Sequence, residues 1–117
     1  MVTNMASISF PEVRVEQMAT ADTTQYTVEA GNTAEVTQGT ICNESAATVT
    51  FSFHIPNPTA AAGDTNVLID TKAILPGQTD LLPELLGKRF AAGTVFKTTC
   101  SAATALNMHL SLMVRTA

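Results

Sequence analysis

YTVEAGNTAEVTQGTICNESAATVTFSFHI, Tyr26 to Ile55, decides the fold class. Val49, Phe51, Phe53 and Ile55 share one face of its last eight residues, and Thr48, Thr50, Ser52 and His54 share the other. Successive side chains of an extended strand point to opposite sides, so this alternation marks a strand with one buried face. Upstream, Thr24 to Val28 and Thr33 to Cys42 read as two further strands. Ala34 and Val36 share a phase that Ile41 does not, and Gly39 is the expected bulge between them. Ala30-Gly31-Asn32 and Asn43-Glu44-Ser45-Ala46 join the three strands with residues that tolerate left-handed backbone.

Working outward, Met1 to Asn4 form a loose arm before a strand from Ser7 to Glu16. Ile8 and Phe10 are in one phase and Val13 and Val15 in the other, with the switch at Pro11-Glu12. Proline cannot donate to a ladder, so a proline at a phase change predicts an edge strand with a bulge. Gln17 to Thr23 is a small, polar connection, and PNPTAAAGDTN, Pro56 to Asn66, is the longest exposed loop. Asn66 to Leu75 reads as an inner strand with Val67, Ile69, Ala73 and Leu75 in phase. Leu75-Pro76-Gly77-Gln78-Thr79 and Ala91-Ala92-Gly93-Thr94 echo the corner at Glu29-Ala30-Gly31-Asn32-Thr33, each re-entering a strand at Thr. Pro83 to Gly87 suits one helical turn, Thr94 to Cys100 is a strand, and Ala105 to Val114 is the strongest strand of the chain. Its apolar face, Leu106, Met108, Leu110, Leu112 and Val114, places it mid-sheet against the core. The expected fold is all-β, a single antiparallel β-sandwich of about eight strands, jelly-roll or immunoglobulin-like, with at most one short helical turn. Residues 1–23 form an N-terminal arm and edge strand and residues 24–117 the sandwich core, one domain overall.

A length of 117 residues suits one core. Charged residues make up 14%, well below the usual quarter, so the exterior is largely Thr, Ser, Asn, Gln and Ala. Such a surface is either a neutral sandwich exterior or one covered by partners, since low charge does little to oppose self-association. The six basic residues are dispersed, giving no stripe for nucleic acid. MVTNMASISF has neither the basic nor the apolar region of a secretory signal. No run approaches the roughly 18 apolar residues of a membrane helix. The expectation is a protein made in a cytoplasm without a signal peptide, with no nucleic-acid or membrane partner.

The chemistry-bearing residues do not assemble into a site. His54 and His109 each sit on the polar face of an alternating strand, facing solvent or an interface. Cys42 and Cys100 lie near strand ends; buried reduced thiols and a bridge both remain open. Asp64-Thr65-Asn66 begins like a calcium loop, and Asp70 follows, but the later oxygen ligand, glycine and final glutamate are missing. Asn43-Glu44-Ser45 matches a glycosylation acceptor, which without a secretory route is a turn. The chain has no Trp and one Tyr, Tyr26, which argues against a stacking platform for sugars. No catalytic, cofactor-binding or metal residue is assigned, and no cofactor is expected.

YTVEAGNTAEV, the strand ending ICNES, the alternating TVTF, the segments Leu75 to Thr79, Leu82 to Gly87 and Ala91 to Val95, and the final LNMHLSLMV together resemble a family of small bacteriophage virion proteins with β-sandwich folds. The likeness spans Tyr26 to Val114. It departs at Glu29, where such sequences commonly have proline, and at the enlarged loop after Ile55. The resemblance implies a non-enzymatic virion part, foremost a capsid decoration or cement subunit. Its implied partners are copies of itself and other virion proteins, above all the major capsid protein. A neck, collar, tail or baseplate ring subunit is the alternative, and a host-receptor or glycan-binding module the second. The family carries no catalytic residues. The expected protein-contact residues are Val2, Thr3, Ile8, Phe10 and Val13 of the arm and edge strand, and Pro56, Asn57, Pro58 and Asp64 of the loop.

Overall fold

The computed structural model describes residues 7–56, 63 and 65–116. Within them the chain forms ten strands: β1 (Ile8–Ser9), β2 (Glu12–Val15), β3 (Thr23–Thr27), β4 (Asn32–Asn43), β5 (Val49–His54), β6 (Val67–Ile74), β7 (Thr79–Asp80), β8 (Arg89–Phe90), β9 (Val95–Cys100) and β10 (Leu106–Thr116). Among the described residues there is no helix, and so none long and apolar enough to cross a membrane.

Strand pairing decides between the two expected sandwiches. β1 and β2 lie end to end along one side of β10, β4 pairs with its other side, and β7 and β8 lie end to end along the far side of β4. The second sheet runs β3-β9-β5-β6, and every pairing is antiparallel. With β1/β2 and β7/β8 each taken as one interrupted strand, first pairs with last, second with seventh, third with sixth and fourth with fifth. That is one long antiparallel ribbon rolled up so that β10 meets β4 and β9 meets β5. The protein is a jelly roll.

The recurring glycine corners are where the ribbon crosses between sheets. Glu29–Asn32 takes the chain from β3 to β4, Leu75–Gln78 from β6 to β7, and Ala91–Thr94 from β8 to β9. In each, the N–H of the fourth residue donates to the C=O of the first at 3.1 Å, with glycine third at a φ of 73 to 90°. That backbone is a type II turn, which glycine enters without a steric penalty. Neighbouring corners clasp each other: Val28 N–H donates to Thr94 O (2.9 Å) and Gly93 N–H to Val28 O (2.8 Å), while Asn43 N–H donates to Gln78 O (2.9 Å) and Gly77 N–H to Asn43 O (2.8 Å). Asn43 closes its corner from within. Its wholly buried amide donates to Ala47 O and Ile74 O and accepts from Ser45 N and Oγ, all at 2.8–2.9 Å. The glycosylation motif is thus a buried Asx turn, with its amide nitrogen fully engaged.

Between the sheets, Val49, Phe51 and Phe53 of β5 face Leu106, Met108, Leu110, Leu112 and Val114 of β10, all 4% exposed or less. Each such side chain contributes roughly 1.5–3 kcal/mol by leaving water. Phe96 is the aromatic centre, with ring centroids 4.8 Å from Phe90, 5.5 Å from Phe53 and 5.7 Å from Tyr26. Met18, in the connection expected to be polar, is fully buried, its N–H donating to Leu106 O at 2.7 Å.

Four local expectations are corrected. The bulge in β4 lies at Thr37–Gln38 and not at Gly39: Ser111 pairs Gln38 but Leu112 pairs Val36, so Thr37 is the extra residue, its hydroxyl donating to Ser111 O at 2.9 Å. Gly39 is instead a point of close approach, where a Cβ would lie 2.8 Å from Leu110 Cδ2 and 2.9 Å from Leu82 Cδ1. β6 is the edge of the smaller sheet, not an inner strand, and a bulge at Asp70–Thr71 (φ of Thr71, 51°) reverses its phase. Ile74 therefore points inward, while Ala73 and Leu75 are exposed. Pro83 to Gly87 is not helical: Leu85 N–H donates to Leu82 O (3.0 Å) and Lys88 N–H to Leu85 O (3.1 Å), two successive β-turns.

Candidate interaction surface

The N-terminal edge of the larger sheet is made by a broken strand, because Pro11 has no N–H to give the ladder. β1 pairs with Arg115 and Val114, and β2 with Ser111 to Met108; between them Leu112 N–H donates to the Pro11 carbonyl at 3.0 Å. Ser7 ties the beginning of this edge to the chain's other end. Its N–H donates to Thr116 Oγ1 (2.9 Å), the two hydroxyls lie 2.8 Å apart, and Thr116 N–H donates to Ser7 O (2.9 Å). The break leaves Phe10 75% exposed and Ile8 48% exposed, whereas Val13 turns into the core. On the polar face Glu12 lies 2.9 Å from Arg14 and 3.3 Å from His109 Nε2. The hydrogen bond from His109, then the nearby Arg14 charge, hold the Glu12 carboxyl below its ordinary range.

The opposite edge is closed differently. β7 pairs with Ile41 and Cys42, and β8 with Ala34 and Glu35, so residues 81–88 arch across the middle of β4. Leu82 and Leu85 plug the gap and are fully buried; Leu82 holds a φ of 51° with its N–H donating to Asp80 Oδ2 at 3.0 Å. Leu81 and Leu86 face out, 64% and 44% exposed, and with Gln38, Gly39 and Thr40 line a hollow of ≈ 290 Å³. Lys72 of β6 staples the smaller sheet to this arch, its Nζ 3.0 Å from Asp80 and 2.8 Å from Glu84. Burial pulls its pKa down, but the bonds from Glu84 and Asp80 outweigh that and leave it above the ordinary lysine value.

Of the contact residues expected from sequence, Ile8 and Phe10 come together on one exposed edge. Val13 and Pro56 are buried, Pro56 accepting from Val95 N–H at 3.0 Å, so neither side chain is open to a partner. Val2, Thr3, Asn57, Pro58 and Asp64 lie outside the described residues. Leu81 and Leu86 were missed, although two leucine pairs within six residues, LLPELL, are the signal for one pair in and one pair out.

Among the described residues the histidines and cysteines do not converge. His54 and His109 lie on different sheets, and so do the two free cysteines. Burial pushes the Cys100 thiol up, partly offset by a hydrogen bond with the Ala102 backbone, and the net shift favours the protonated thiol. Among the described residues no three His, Cys, Asp or Glu side chains group where they could hold a metal ion. A depression of ≈ 380 Å³ on the smaller sheet is lined mainly by hydroxyls, including Thr20, Thr50, Ser52, Thr99 and Ser101.

No family model matches the chain, and no curated protein matches it. Solved structures do. A chain from Bacillus endospore appendages, a novel family of disulfide-linked pili, superposes with a TM-score of 0.52 at 13% identity, covering 99% of this chain and 93% of that one. A chain from infectious bursal disease virus, Gx strain, superposes with a TM-score of 0.55 at 9% identity, covering 97% of this chain but 33% of that one. At these identities the likeness is one of fold, and the protein shares its all-β, two-sheet architecture with a pilus chain and a virus chain.

Proposed function

We propose that the protein is a non-enzymatic structural subunit of a bacteriophage virion, a decoration or cement protein that stabilises the shell through contacts with the major capsid protein and with its own copies. The observation that carries this reading is the placement of exposed apolar side chains. Among the described residues four of the five exposed large hydrophobics, Ile8, Phe10, Leu81 and Leu86, lie along an edge of the larger sheet, and the fifth, Leu75, follows β6 in the corner between the sheets. Exposed apolar patches of this kind mark protein contacts. Similarity of fold to chains from a pilus and a virus, and the sequence resemblance over Tyr26 to Val114, point the same way. Residues 1–23 supply the contact arm and edge strand and residues 24–117 the sandwich core. A cement subunit binds only the assembled lattice and lowers its free energy by mass action.

The second reading, a neck or tail ring subunit, draws on the two apolar edges lying on opposite sides of one sheet. Quantitative mass spectrometry of purified particles, with immunogold labelling, separates the two. Hundreds of copies over the shell support decoration, and about a dozen or fewer on the tail axis support a ring. Absence of the protein from purified particles overturns both.

A further inference from the structure

We propose that the hydroxyl-lined depression on the outer face of the smaller sheet is a binding site for a neutral sugar residue. The inference goes beyond the structural-subunit reading and stands or falls independently of it.

Three observations carry it. The depression is assembled from separate parts of the chain: Thr50 and Ser52 from β5, Thr71 from the bulge of β6, Thr99 and Ser101 from the end of β9, and Thr20 from the connection before β3. Ser52 pairs with Thr99 across the two strands. Beside them Ser101 N–H donates to Thr50 O and Thr50 N–H to Ser101 Oγ, both at 2.9 Å. None of these side chains is larger than threonine, so the sheet face is recessed here. Its volume of ≈ 380 Å³ lies within the roughly 300–1,000 Å³ of small-molecule sites.

The backbone also presets hydroxyls as donors. Ser101 Oγ accepts the Thr50 N–H and Ser52 Oγ accepts the Thr71 N–H at 3.0 Å, and neither serine has an acceptor for its own proton among the described residues. A hydroxyl oxygen that accepts one hydrogen bond is polarised into a better donor. The hydroxyls of Thr50 and Thr99 hold no hydrogen bond among the described residues, and each can donate or accept.

Charge then selects the class of ligand. No charged side chain lines the depression. Asp70 is engaged by the Thr71 hydroxyl at 2.9 Å, and Lys97, one pair further along β5 and β9, is held by Asp22 at 3.3 Å. An anion would meet no free cation, in a chain of net charge -4, and a cation would meet no free carboxylate. A sugar ring donates and accepts through its hydroxyls and offers C–H surface to threonine methyls, which matches this lining. Without an aromatic platform the affinity is low, with half-saturation on the order of 10 mM. Rotatable hydroxyls discriminate poorly between stereoisomers, so simple sugars report on the site. Repeated copies in an assembly turn such weak contacts into avidity.

The test follows backbone amide resonances of full-length, isotopically labelled protein. D-glucose, D-galactose and N-acetylglucosamine are titrated to about twenty times the expected half-saturation, and maltohexaose and chitotetraose in parallel. Saturable shifts centred on residues 50–52, 71 and 99–101 are expected with at least one simple sugar. Thr50→Val combined with Thr99→Val removes two hydroxyls while keeping shape and strand propensity. With the parent fold confirmed by circular dichroism, it should bind at least about tenfold more weakly. Thr40→Val, on the outer face of the larger sheet opposite His109, should bind as the parent does. An oligosaccharide that binds more tightly than its monosaccharide identifies a polysaccharide as the source, and equal binding a free sugar. Unsaturating shifts with every probe, saturable shifts only elsewhere, or unchanged affinity in the double variant overturns the inference. So does inorganic phosphate moving these amides while the sugars do not. The parent titration decides by itself if the double variant is unstable.

Discussion

β10 and the segment from Thr79 to Phe90 both complete the larger sheet, and they do so by opposite means. β10 is eleven residues of alternation, paired on both sides, with its apolar face continuous from Leu106 to Val114. The segment contributes two strands of two residues each and fills the space between them with side chains, Leu82 and Leu85. One closes a sheet by repeating a backbone pattern, the other by a plug fitted to one place. A regular strand can lose a local detail and keep its ladder, whereas the arch depends on Gly39 having no side chain where Leu82 inserts.

That contrast can be broken at its strongest point by truncating both parts. Leu110→Ala and Leu82→Ala should each cost about 3 kcal/mol in chemical denaturation, because both side chains are fully buried. A loss below about 1 kcal/mol for Leu82→Ala would show the arch to be a covering and not part of the core. Asn43→Ala should cost about 2 kcal/mol, since it strips partners from the Ala47 and Ile74 carbonyls and the Ser45 N–H at once.

Gly39→Ala sharpens the comparison further. Its new Cβ meets Leu110 and Leu82 at 2.8 and 2.9 Å, but at flexible side-chain ends, so the expected loss is about 1 kcal/mol. Combined with Leu82→Ala the two losses should be less than additive, because the smaller residue vacates the space. Additive losses would mean that the strain lies elsewhere.

The Lys72 staple predicts a further effect of about 1 kcal/mol on Lys72→Met, with a definite pH dependence. A lysine whose folded pKa is raised contributes fully below its ordinary pKa and loses that contribution as pH climbs through the folded value. Melting curves at rising alkaline pH should therefore converge for parent and variant. The smallest effect belongs to Glu12→Gln at the exposed edge. Glu12's lowered pKa means its contribution is present above the ordinary carboxylate range and fades as pH falls through the folded value. The parent and variant melts should differ at neutral pH and coincide in strong acid.

Much of the roll was legible because its long strands are half buried, and half burial writes a period of two into the chain. Val49 to Ile55 and Leu106 to Val114 face inward as their alternation predicts, and the three small-Gly corners are turns. Legibility failed where one backbone residue broke the period. Thr71, at a φ of 51°, shifts β6 so that Ile74 and not Ala73 meets the core; in β4 the change of phase was expected, but Thr37 and not Gly39 carries it. No residue type announces these bulges, since threonine is an ordinary strand former. The candidate surface was half legible: proline explained the broken edge at Phe10, but nothing local distinguishes Leu81 and Leu86 from Leu82 and Leu85.

The amino-acid order by itself therefore determined the fold class, the long strands and the three glycine corners, because periodicity and glycine act over a few residues. Only the tertiary structure decided that the ribbon rolls first strand to last, that the corners clasp in pairs, and which leucines of LLPELL are core and which are surface. Those outcomes depend on contacts between residues far apart in the chain, Ser7 with Thr116 and Gly39 with Leu82 and Leu110, whose energies no local pattern records.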